Sequence, residues 1–408
     1  MPRTTVARAT LAAWILAAAA LVCACDYSSH TLAGDAADDP ASDSSVDSHV
    51  DPLVDTPVDT FPETPPDTMP DSPWDLFDGP ECGNWIVEAW ETCDGDSLPC
   101  ALVDEVYVSG DARCRTDCLG YDDGACLTRE EMADLIQRAA CITDQAMVAV
   151  LGLELVGMYE WEVKAVIDAS FAASGADPDL AFDHIVASGP NAIELHYAGG
   201  DRMIQDGDLV LIDIGAKFSG YSGDISRTFP ANGTFTARQR DLYQLVLDAQ
   251  VGSAAAMRPG WQSLDDMTWW AIDFFAASPL RALDESGAER GMDYFFVHAL
   301  CHYVGMDVHG GDLYLDPSSP AVEGDVFTIE PGLYVQGEGT GIRIEDDFVL
   351  TDAGAEDLCP GTPKTVAEIE AAMAASSPFT WSPDLEPFLE ARREASRADP
   401  GATMHMDF

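Results

Sequence analysis

The residues that could carry out chemistry interrupt a few apolar stretches in the second half of the chain. Residues 297–309 hold three of the eight histidines: His298, His302 and His309. Four acids lie inside apolar, strand-like surroundings: Asp213, Asp224, Glu330 and Glu345. An ionised carboxylate in such surroundings is costly unless it pairs with a charge or coordinates a cation. The four acids together with a histidine therefore predict a metal site.

Each of these residues also has a purely structural interpretation when it is taken alone. Asp213 could cap a turn, Asp224 could be a solvated hairpin residue, and His302 could be a satisfied core histidine. Glu330 stands before a proline and Glu345 stands amid apolar neighbours, and these two are harder to explain without a ligand role. Hard carboxylate ligands dominate the set, which favours manganese or another divalent first-row ion.

The surrounding pattern predicts the elements that would position the acids. Residues 208–218 and 221–229 are typical of two strands joined by a tight turn at Ser219 and Gly220. That hairpin would place Asp213 beside Asp224. Further strands are predicted over residues 182–187, 326–335 and 341–350.

Helices are predicted between these strands. Thr128 with Glu131 forms a capping-box pattern before an apolar helical repeat, and Thr236 with Gln239 forms a second one. Further helices are expected over residues 160–173, 264–277 and 364–375. Helices alternating with antiparallel strand pairs predict an α+β fold rather than a doubly wound sheet.

Five motifs in order resemble those of the pita-bread metallopeptidases, and most closely the Xaa-Pro aminopeptidase and prolidase group. They are Asp213-Ile-Gly, Gly223-Asp-Ile-Ser-Arg-Thr-Phe, His298-x-x-x-His-x-x-Gly-x-Asp-Val-His309, Thr328-Ile-Glu-Pro-Gly and Ile342-Arg-Ile-Glu-Asp-Asp. The resemblance covers residues 128–375 and implies a pita-bread fold there. It also implies an aminopeptidase that removes the N-terminal residue from peptides, with proline following it. A prolidase-type dipeptidase and a non-catalytic peptide-binding scaffold remain alternatives.

The resemblance assigns roles to individual positions. Two divalent ions, Mn²⁺ with Co²⁺ or Zn²⁺ as alternatives, would be held by Asp213, Asp224, His302, Glu330 and Glu345. Asp224 and Glu345 would bridge the ions, and Glu330 would also move a proton. The resemblance places four further residues around the peptide: His196 and His309 at the scissile carbonyl, and His298 and Arg343 at the residue after the cleaved bond.

Composition limits the partners. The chain has 20 basic and 72 acidic residues, a formal net charge of −52. Such a charge repels phosphate backbones and excludes a nucleic-acid role. A peptide is the expected partner, and the oligomeric state stays open. The family's large N-terminal domain is not found in its usual place before residue 128.

The first 127 residues indicate export. Residues 1–25 have the pattern of a bacterial lipoprotein signal with lipidation at Cys25, the alternatives being a plain signal peptide or an uncleaved anchor. We therefore expect a protein that is exported and lipid-anchored to a bacterial membrane.

Residues 26–80 are acidic and Pro-rich, which predicts an extended tether. Residues 81–94 resemble the small cysteine-rich repeats of secreted myxobacterial proteins, and the six cysteines within residues 81–127 predict a disulfide module with open pairing. Residues 376–408 are expected to form a peripheral tail.

Overall fold

The computed structural model describes residues 93, 97–102, 107–114, 121–122, 124–310, 315–378, 380 and 386–398. The expected signal, its Cys25 and the tether lie outside these residues. In the part of the chain that is described, no helix has the length and apolar character needed to cross a bilayer.

Six α-helices are present in the described residues. They are α1 (Arg129–Leu151), α2 (Glu160–Ser174), α3 (Ala237–Ala256), α4 (Leu264–Ala276), α5 (Val366–Met373) and α6 (Glu386–Ala398). The predicted capping boxes at Thr128 and Thr236 are confirmed. Helix α2 ends at Gly175 in the left-handed conformation, with φ of 82°. Helices α2, α4 and α5 lie within two residues of their predicted bounds, and α1 and α3 begin where the capping boxes predicted.

The N-terminal strands form two small sheets. They are β1 (Ser97–Pro99), β2 (Tyr107–Ser109), β3 (Asp111–Cys114), β4 (Tyr121–Asp122) and β5 (Leu127–Thr128). Disulfides join Cys93 to Cys114 and Cys100 to Cys126, so this part of the predicted disulfide module has a defined pairing.

The larger α+β region contains the remaining strands. They are β6 (Ile185–Ser188), β7 (Leu209–Ile214), β8 (Lys217–Phe218), β9 (Tyr221–Ser222), β10 (Ile225–Pro230), β11 (Ala282–Leu283), β12 (Glu289–Arg290), β13 (Val326–Ile329), β14 (Gly332–Val335), β15 (Thr340–Arg343), β16 (Asp346–Thr351) and β17 (Gly354–Asp357). All pairings among the named strands are antiparallel. The α+β prediction is therefore confirmed.

Two three-stranded sheets form the centre. One has the order β10-β7-β6 and the other β13-β16-β17. All six residues of β7 are buried, as expected for a strand covered on both faces. The backbone N–H of Glu345 donates to the carbonyl of Ser226 at 3.0 Å, which joins the second sheet to β10. The acids of both sheets therefore face one interior space.

A glycine permits the close approach of α1 to the hairpin. A Cβ atom at Gly223 would lie 2.7 Å from the backbone nitrogen of Ala140 in α1, too close for any other residue. The predicted turn at Ser219 and Gly220 is present, with φ of 51° and 84°. The hairpin strands are shorter than predicted, because the chain leaves regular pairing between β7 and β8 and again between β9 and β10.

Two features differ from the sequence-based expectations. A disulfide joins Cys141 of α1 to Cys359, across a sequence separation of 218. The tail expected to be peripheral contains α6, whose Leu389 is buried against Tyr159 and Trp161 at the start of α2. Arg392 and Arg393 of this helix form ion pairs with Asp201 and Glu162, which are distant in sequence, and local composition does not reveal such pairs.

Candidate metal centre

Strand register positions the four predicted acids in two pairs. Asp213 lies in β7 opposite Ser226 of β10, and Asp224 directly precedes β10. Glu330 directly follows β13 and Glu345 directly precedes β16. Because Ile329 pairs with Asp346, the ends of these two strands bring Glu330 and Glu345 together.

His302 reaches the acids from a segment that is not a named strand. Its carbonyl accepts a hydrogen bond from the N–H of Thr328 at 2.8 Å. The N–H of Glu330 donates to the carbonyl of Leu300 at 2.9 Å. The backbone around His302 therefore runs along the edge of β13, which holds the imidazole next to the acid pair.

The side-chain atoms converge on the His302 imidazole. Its Nε2 lies 3.5 Å from an oxygen of Asp224, 3.5 Å from one of Glu330 and 3.9 Å from one of Glu345. Ligand atoms of Asp224, His302 and Glu345 all lie within 4.8 Å of one another. Such a spacing around a common centre suits a bound ion.

The imidazole presents an acceptor, not a donor, to these carboxylates. His302 Nδ1 lies 3.1 Å from the carbonyl of Tyr303, which accepts only from an N–H, so the proton is assigned to Nδ1. Burial lowers the pKa of His302 to about 4, so the ring is neutral at pH 7. A nitrogen lone pair then faces three carboxylates, an arrangement that only a cation or added protons make favourable.

Two further oxygens show the same deficit of donors. Among the described residues, Asp213 Oδ1 and Asp224 Oδ1 are buried and have no hydrogen-bond partner. Buried carboxylate oxygens are normally paired or bound to a cation. The donor set of four carboxylates and one imidazole therefore fits divalent first-row ions.

Burial, and then repulsion between neighbouring carboxylates, raises the pKa values of Asp224, Glu330 and Glu345. The pKa of Glu345 rises to about 8, first through burial and second through the nearby Asp213. Burial and repulsion by Glu345 also raise the pKa values of Asp224 and Glu330 well above their ordinary range. A metal ion would replace the protons that otherwise neutralise this group.

Arg343 is buried beside the cluster. Its Nη2 lies 2.6 Å from Asp213 Oδ2, its Nη1 donates to the Tyr334 hydroxyl at 2.8 Å, and its Nε donates to Ser226 Oγ at 2.8 Å. Three guanidinium nitrogens are thus engaged by protein groups, which fixes the side chain next to Asp213. Its expected contact with a substrate stays a prediction.

His298 joins the same network through Tyr334. The ring nitrogen Nδ1 of His298 lies 2.8 Å from the carbonyl of Ala299, so Nε2 is free to accept from the Tyr334 hydroxyl at 3.0 Å. Burial and the positive charge of Arg343 lower the pKa of His298 to about 4. His298 is therefore a neutral, oriented side chain, and its Nδ1 also lies 3.6 Å from Glu330.

The remaining two predicted histidines, His196 and His309, are exposed. His309 packs edge-on against His302, with ring centroids 4.7 Å apart. His196 follows a 3₁₀ turn over Gly189–Ile193, and its neighbours Leu195 and Tyr197 pack on a small apolar cluster that includes Tyr334. The structure thus brings eight of the nine predicted site residues into one network of contacts, and places His196 on the loop that packs near Tyr334.

Sequence reasoning missed three residues at the site. Ser226 donates to Glu345 at 2.7 Å, and Asp347 accepts the Asp224 N–H at 2.9 Å through its Oδ2. Tyr334 is fully buried and links His298 to Arg343. Strand alternation could have indicated Asp347, which is two residues after Glu345. Nothing in the local sequence marks Tyr334.

Comparison with known proteins now gives the family. Metallopeptidase family M24 matches residues 134–352, more than half of the chain. The chain belongs to metallopeptidase family M24. The Xaa-Pro aminopeptidase of Escherichia coli is 38% identical over 262 residues, which are 60% of this chain and 59% of that protein. The Xaa-Pro dipeptidase of Pyrococcus furiosus is 35% identical over 232 residues, 57% of this chain and 62% of that protein.

Solved structures of aminopeptidase P share the fold. Escherichia coli aminopeptidase P with the inhibitor Pro-Leu is 37% identical, with a TM-score of 0.55, covering 60% of this chain and 59% of that chain. The zinc-substituted form of that enzyme in complex with product is 35% identical, with a TM-score of 0.55, over 61% of this chain and 60% of that one. The predicted pita-bread fold is therefore confirmed. The chain spans less than two thirds of the length of these relatives.

Proposed function

We propose that the chain is a dinuclear-metal aminopeptidase that removes the N-terminal residue from peptides whose second residue is proline. The observation that carries this proposal is the lone pair of His302 facing three carboxylate oxygens with raised pKa values. The similarity to Xaa-Pro aminopeptidases supports the peptide substrate.

The proposed ligands are the two hydrogen-bond-deficient aspartates, the imidazole and the two strand-end glutamates: Asp213, Asp224, His302, Glu330 and Glu345. When bound there, divalent ions would lower the pKa of a water molecule and polarise the scissile carbonyl. The carboxylate-rich set favours Mn²⁺, with Co²⁺ and Zn²⁺ as alternatives.

The chain's own residues would position the peptide and move its proton. Glu330 is the more exposed glutamate of the pair, at 16% against 3% for Glu345, so its carboxylate would take a proton and pass it to the leaving nitrogen. His196 and His309, both exposed, would donate to the oxygen on which charge develops. His298 would contact the residue after the cleaved bond.

A prolidase-type dipeptidase is the second candidate. The similarity to the Xaa-Pro dipeptidase of Pyrococcus furiosus, 35% identical, favours it. The two candidates differ only in the length of peptide that the site accepts. A peptide-binding scaffold without activity would need the same cleft but no proton transfer by Glu330.

Peptide hydrolysis by the full chain tests the proposal. With Mn²⁺ present, we expect release of the first residue from a Xaa-Pro-Yaa tripeptide, and loss of most activity in Glu330→Gln. Glu338→Gln is the matched control, because Glu338 pairs with Arg238 on the surface. Cleavage of only the Xaa-Pro dipeptide would favour prolidase. Tripeptide binding without cleavage would contradict the proposal and favour a scaffold.

We also propose that the chain is exported and lipid-anchored at Cys25. An apolar segment that follows two arginines within residues 1–25 supports export. The disulfides Cys93–Cys114 and Cys100–Cys126 are consistent with an oxidising compartment. Metabolic labelling with a radioactive fatty acid should mark the expressed protein, and Cys25→Ser should remove the label. Labelling that persists in Cys25→Ser would contradict the anchor.

A further inference from the structure

One buried carboxylate outside the metal cluster holds the loop that carries His196. Glu160, the first residue of α2, is fully buried. Its Oε1 accepts from the N–H and the hydroxyl of Ser188, each at 2.7 Å, and from the Asn191 amide at 3.0 Å. Its Oε2 accepts from the Tyr197 hydroxyl at 2.9 Å. Glu160 therefore fixes both ends of the loop over residues 188–197.

The other side of this loop packs directly on the strands of the metal cluster. A Cβ atom at Gly341 would lie 1.7 Å from the carbonyl oxygen of Ala192, so β15 touches the loop backbone two residues before Arg343. Leu195 and Tyr197 pack on a small apolar cluster that includes Tyr334. His196 lies between these two anchored residues, so a shift of the loop moves His196 relative to the cluster.

The start of α2 also holds the chain just after the loop. The N–H of Trp161 donates to the carbonyl of Gly200 at 2.9 Å, and Lys164 donates to the carbonyl of Gly199 at 2.7 Å. The segment 199–202 and the first turn of α2 therefore form one unit with the loop.

Helix α6 covers this unit from outside. Arg392 lies 2.6 Å from Asp201, and its guanidinium stands 5.6 Å from the centre of the Trp161 ring. Arg393 lies 2.6 Å from Glu162. Ser396 donates to Asp201 at 2.7 Å. Helix α6 lies outside residues 134–352, which match family M24, so these contacts add to the family core.

We propose that α6 is a brace that holds the His196 loop in position, with Arg392 and Arg393 as positioning residues that act through the start of α2. The ion pair between Arg392 and Asp201 is almost completely buried, at 8% and 6% exposure, so it is not a freely solvated surface contact. The effect on catalysis rests on the proposed function, because the substrate role of His196 is proposed there.

The test compares variants of the full chain. Arg392→Gln removes the buried ion pair, and Arg397→Gln is the matched control because Arg397 pairs with Glu390 of the same helix. Glu160→Gln weakens the loop anchor itself. We expect kcat/KM for the Xaa-Pro tripeptide to fall about tenfold or more in Arg392→Gln and in Glu160→Gln, with metal content unchanged, since displacement by about 1 Å can cost up to roughly 100-fold. Arg397→Gln should match the wild type.

A second readout does not need activity. Diethylpyrocarbonate modifies exposed imidazoles, and mass spectrometry gives the modification rate of His196 relative to His309 in the same molecule. We expect the ratio to rise in Arg392→Gln and in Glu160→Gln, and to stay unchanged in Arg397→Gln.

The two readouts separate the possible failures. An unchanged ratio with wild-type kcat/KM in Arg392→Gln would overturn the brace. If no variant hydrolyses peptides, the proposed function fails while the ratio still decides the brace. If Arg392→Gln does not fold, Ser396→Ala removes one hydrogen bond to Asp201 and is judged by the same ratio.

Discussion

Glu345 and Asp346 are neighbours in the chain and both are buried, yet their surroundings are opposite. Asp346 accepts from Arg227 at 2.5 Å and from Gln250 at 2.9 Å, and Lys364 lies 2.8 Å away. Burial would raise the pKa of Asp346, but Arg227 and Lys364 outweigh it and hold that pKa below its usual value. Asp346 is a structural acid that the protein neutralises by itself.

Glu345 faces the interior space of the metal centre. Its neighbours there are other acids and the lone pair of His302, and burial with Asp213 raises its pKa to about 8. Arg343 lies 3.7 Å away and Ser226 donates one hydrogen bond, which together do not offset burial. The acid cluster around Glu345 therefore has less compensating positive charge than the surroundings of Asp346, where Arg227 and Lys364 both lie close.

The number of nearby positive charges distinguishes Asp346, a buried acid that stabilises the fold, from Glu345, a buried acid that is suited to binding a cation. Side chains of successive strand residues point to opposite faces, so one step along the chain changes the partners completely. On one face the protein supplies two cations for Asp346. On the other it supplies one arginine for the four acids of the cluster, and the deficit is the physical argument for bound metal.

The largest effect on folding is expected at Asp346. Asp346→Asn leaves Arg227 buried without its ionised partner, and we expect the free energy of unfolding to fall by about 3–5 kcal/mol. Glu345→Gln is the matched variant, and without metal it should unfold at the same or a higher denaturant concentration than the wild type. Denaturation by urea with a chelator present measures both. If Glu345→Gln lowered the free energy of unfolding more than Asp346→Asn does, the contrast between a structural Asp346 and a ligand-type Glu345 would be contradicted.

The pH dependence of the metal-free protein sharpens the same contrast. Because the pKa of Glu345 is 4.5 when unperturbed and about 8 in the fold, the native state binds a proton that the unfolded state releases between these values. The free energy of unfolding should therefore fall as pH rises from about 4.5 to 8, by at most about 1.4 kcal/mol per pH unit for this group.

Glu345→Gln removes this contribution, so its metal-free unfolding should depend less steeply on pH over that window. Urea denaturation of both proteins at several pH values from 5 to 8 measures the two slopes. Equal slopes would show that Glu345 does not carry the excess proton.

A smaller effect is expected at the hydrogen bond that orients Glu345. Ser226 donates to Glu345 at 2.7 Å and accepts from Arg343 at 2.8 Å. Ser226→Ala should weaken metal binding by about 10- to 100-fold, as loss of an outer-shell partner does elsewhere. Titration calorimetry with Mn²⁺ gives the affinity, and Ser222→Ala, whose hydroxyl donates to the Met306 carbonyl, is the control. Equal affinities would leave Ser226 without a role in orienting Glu345.

The sequence predicted those parts of the centre that depend on local patterns. Turn residues and apolar runs predicted the hairpin that places Asp213 near Asp224, and the observed register does so. Capping boxes predicted the starts of α1 and α3 because both partners lie three residues apart. No local pattern predicts that His302 lies near Glu330. That prediction came only from the resemblance of the five motifs to those of a known family.

Contacts between distant residues could not be predicted. Asp346 and Glu345 are adjacent in the same motif, so the sequence does not distinguish them. Only the fold shows that Arg227, 119 residues away, neutralises Asp346 and not Glu345. The disulfide between Cys141 and Cys359 likewise depends on α1 packing next to the segment after β17, where Gln137 donates to the Leu358 carbonyl. Polar composition concealed α6, because the acid that pairs with its buried Arg392 is Asp201, in a distant segment of the chain.

Metal content and peptide hydrolysis, measured together, test the central claim most directly. The full chain, wild type and Glu345→Ala, is loaded with Mn²⁺, desalted and assayed for bound metal and for Xaa-Pro tripeptide cleavage. We predict about two ions per wild-type chain with activity, and loss of both metal and activity in Glu345→Ala. A folded wild-type protein that binds no metal and cleaves no peptide after manganese loading would contradict the account.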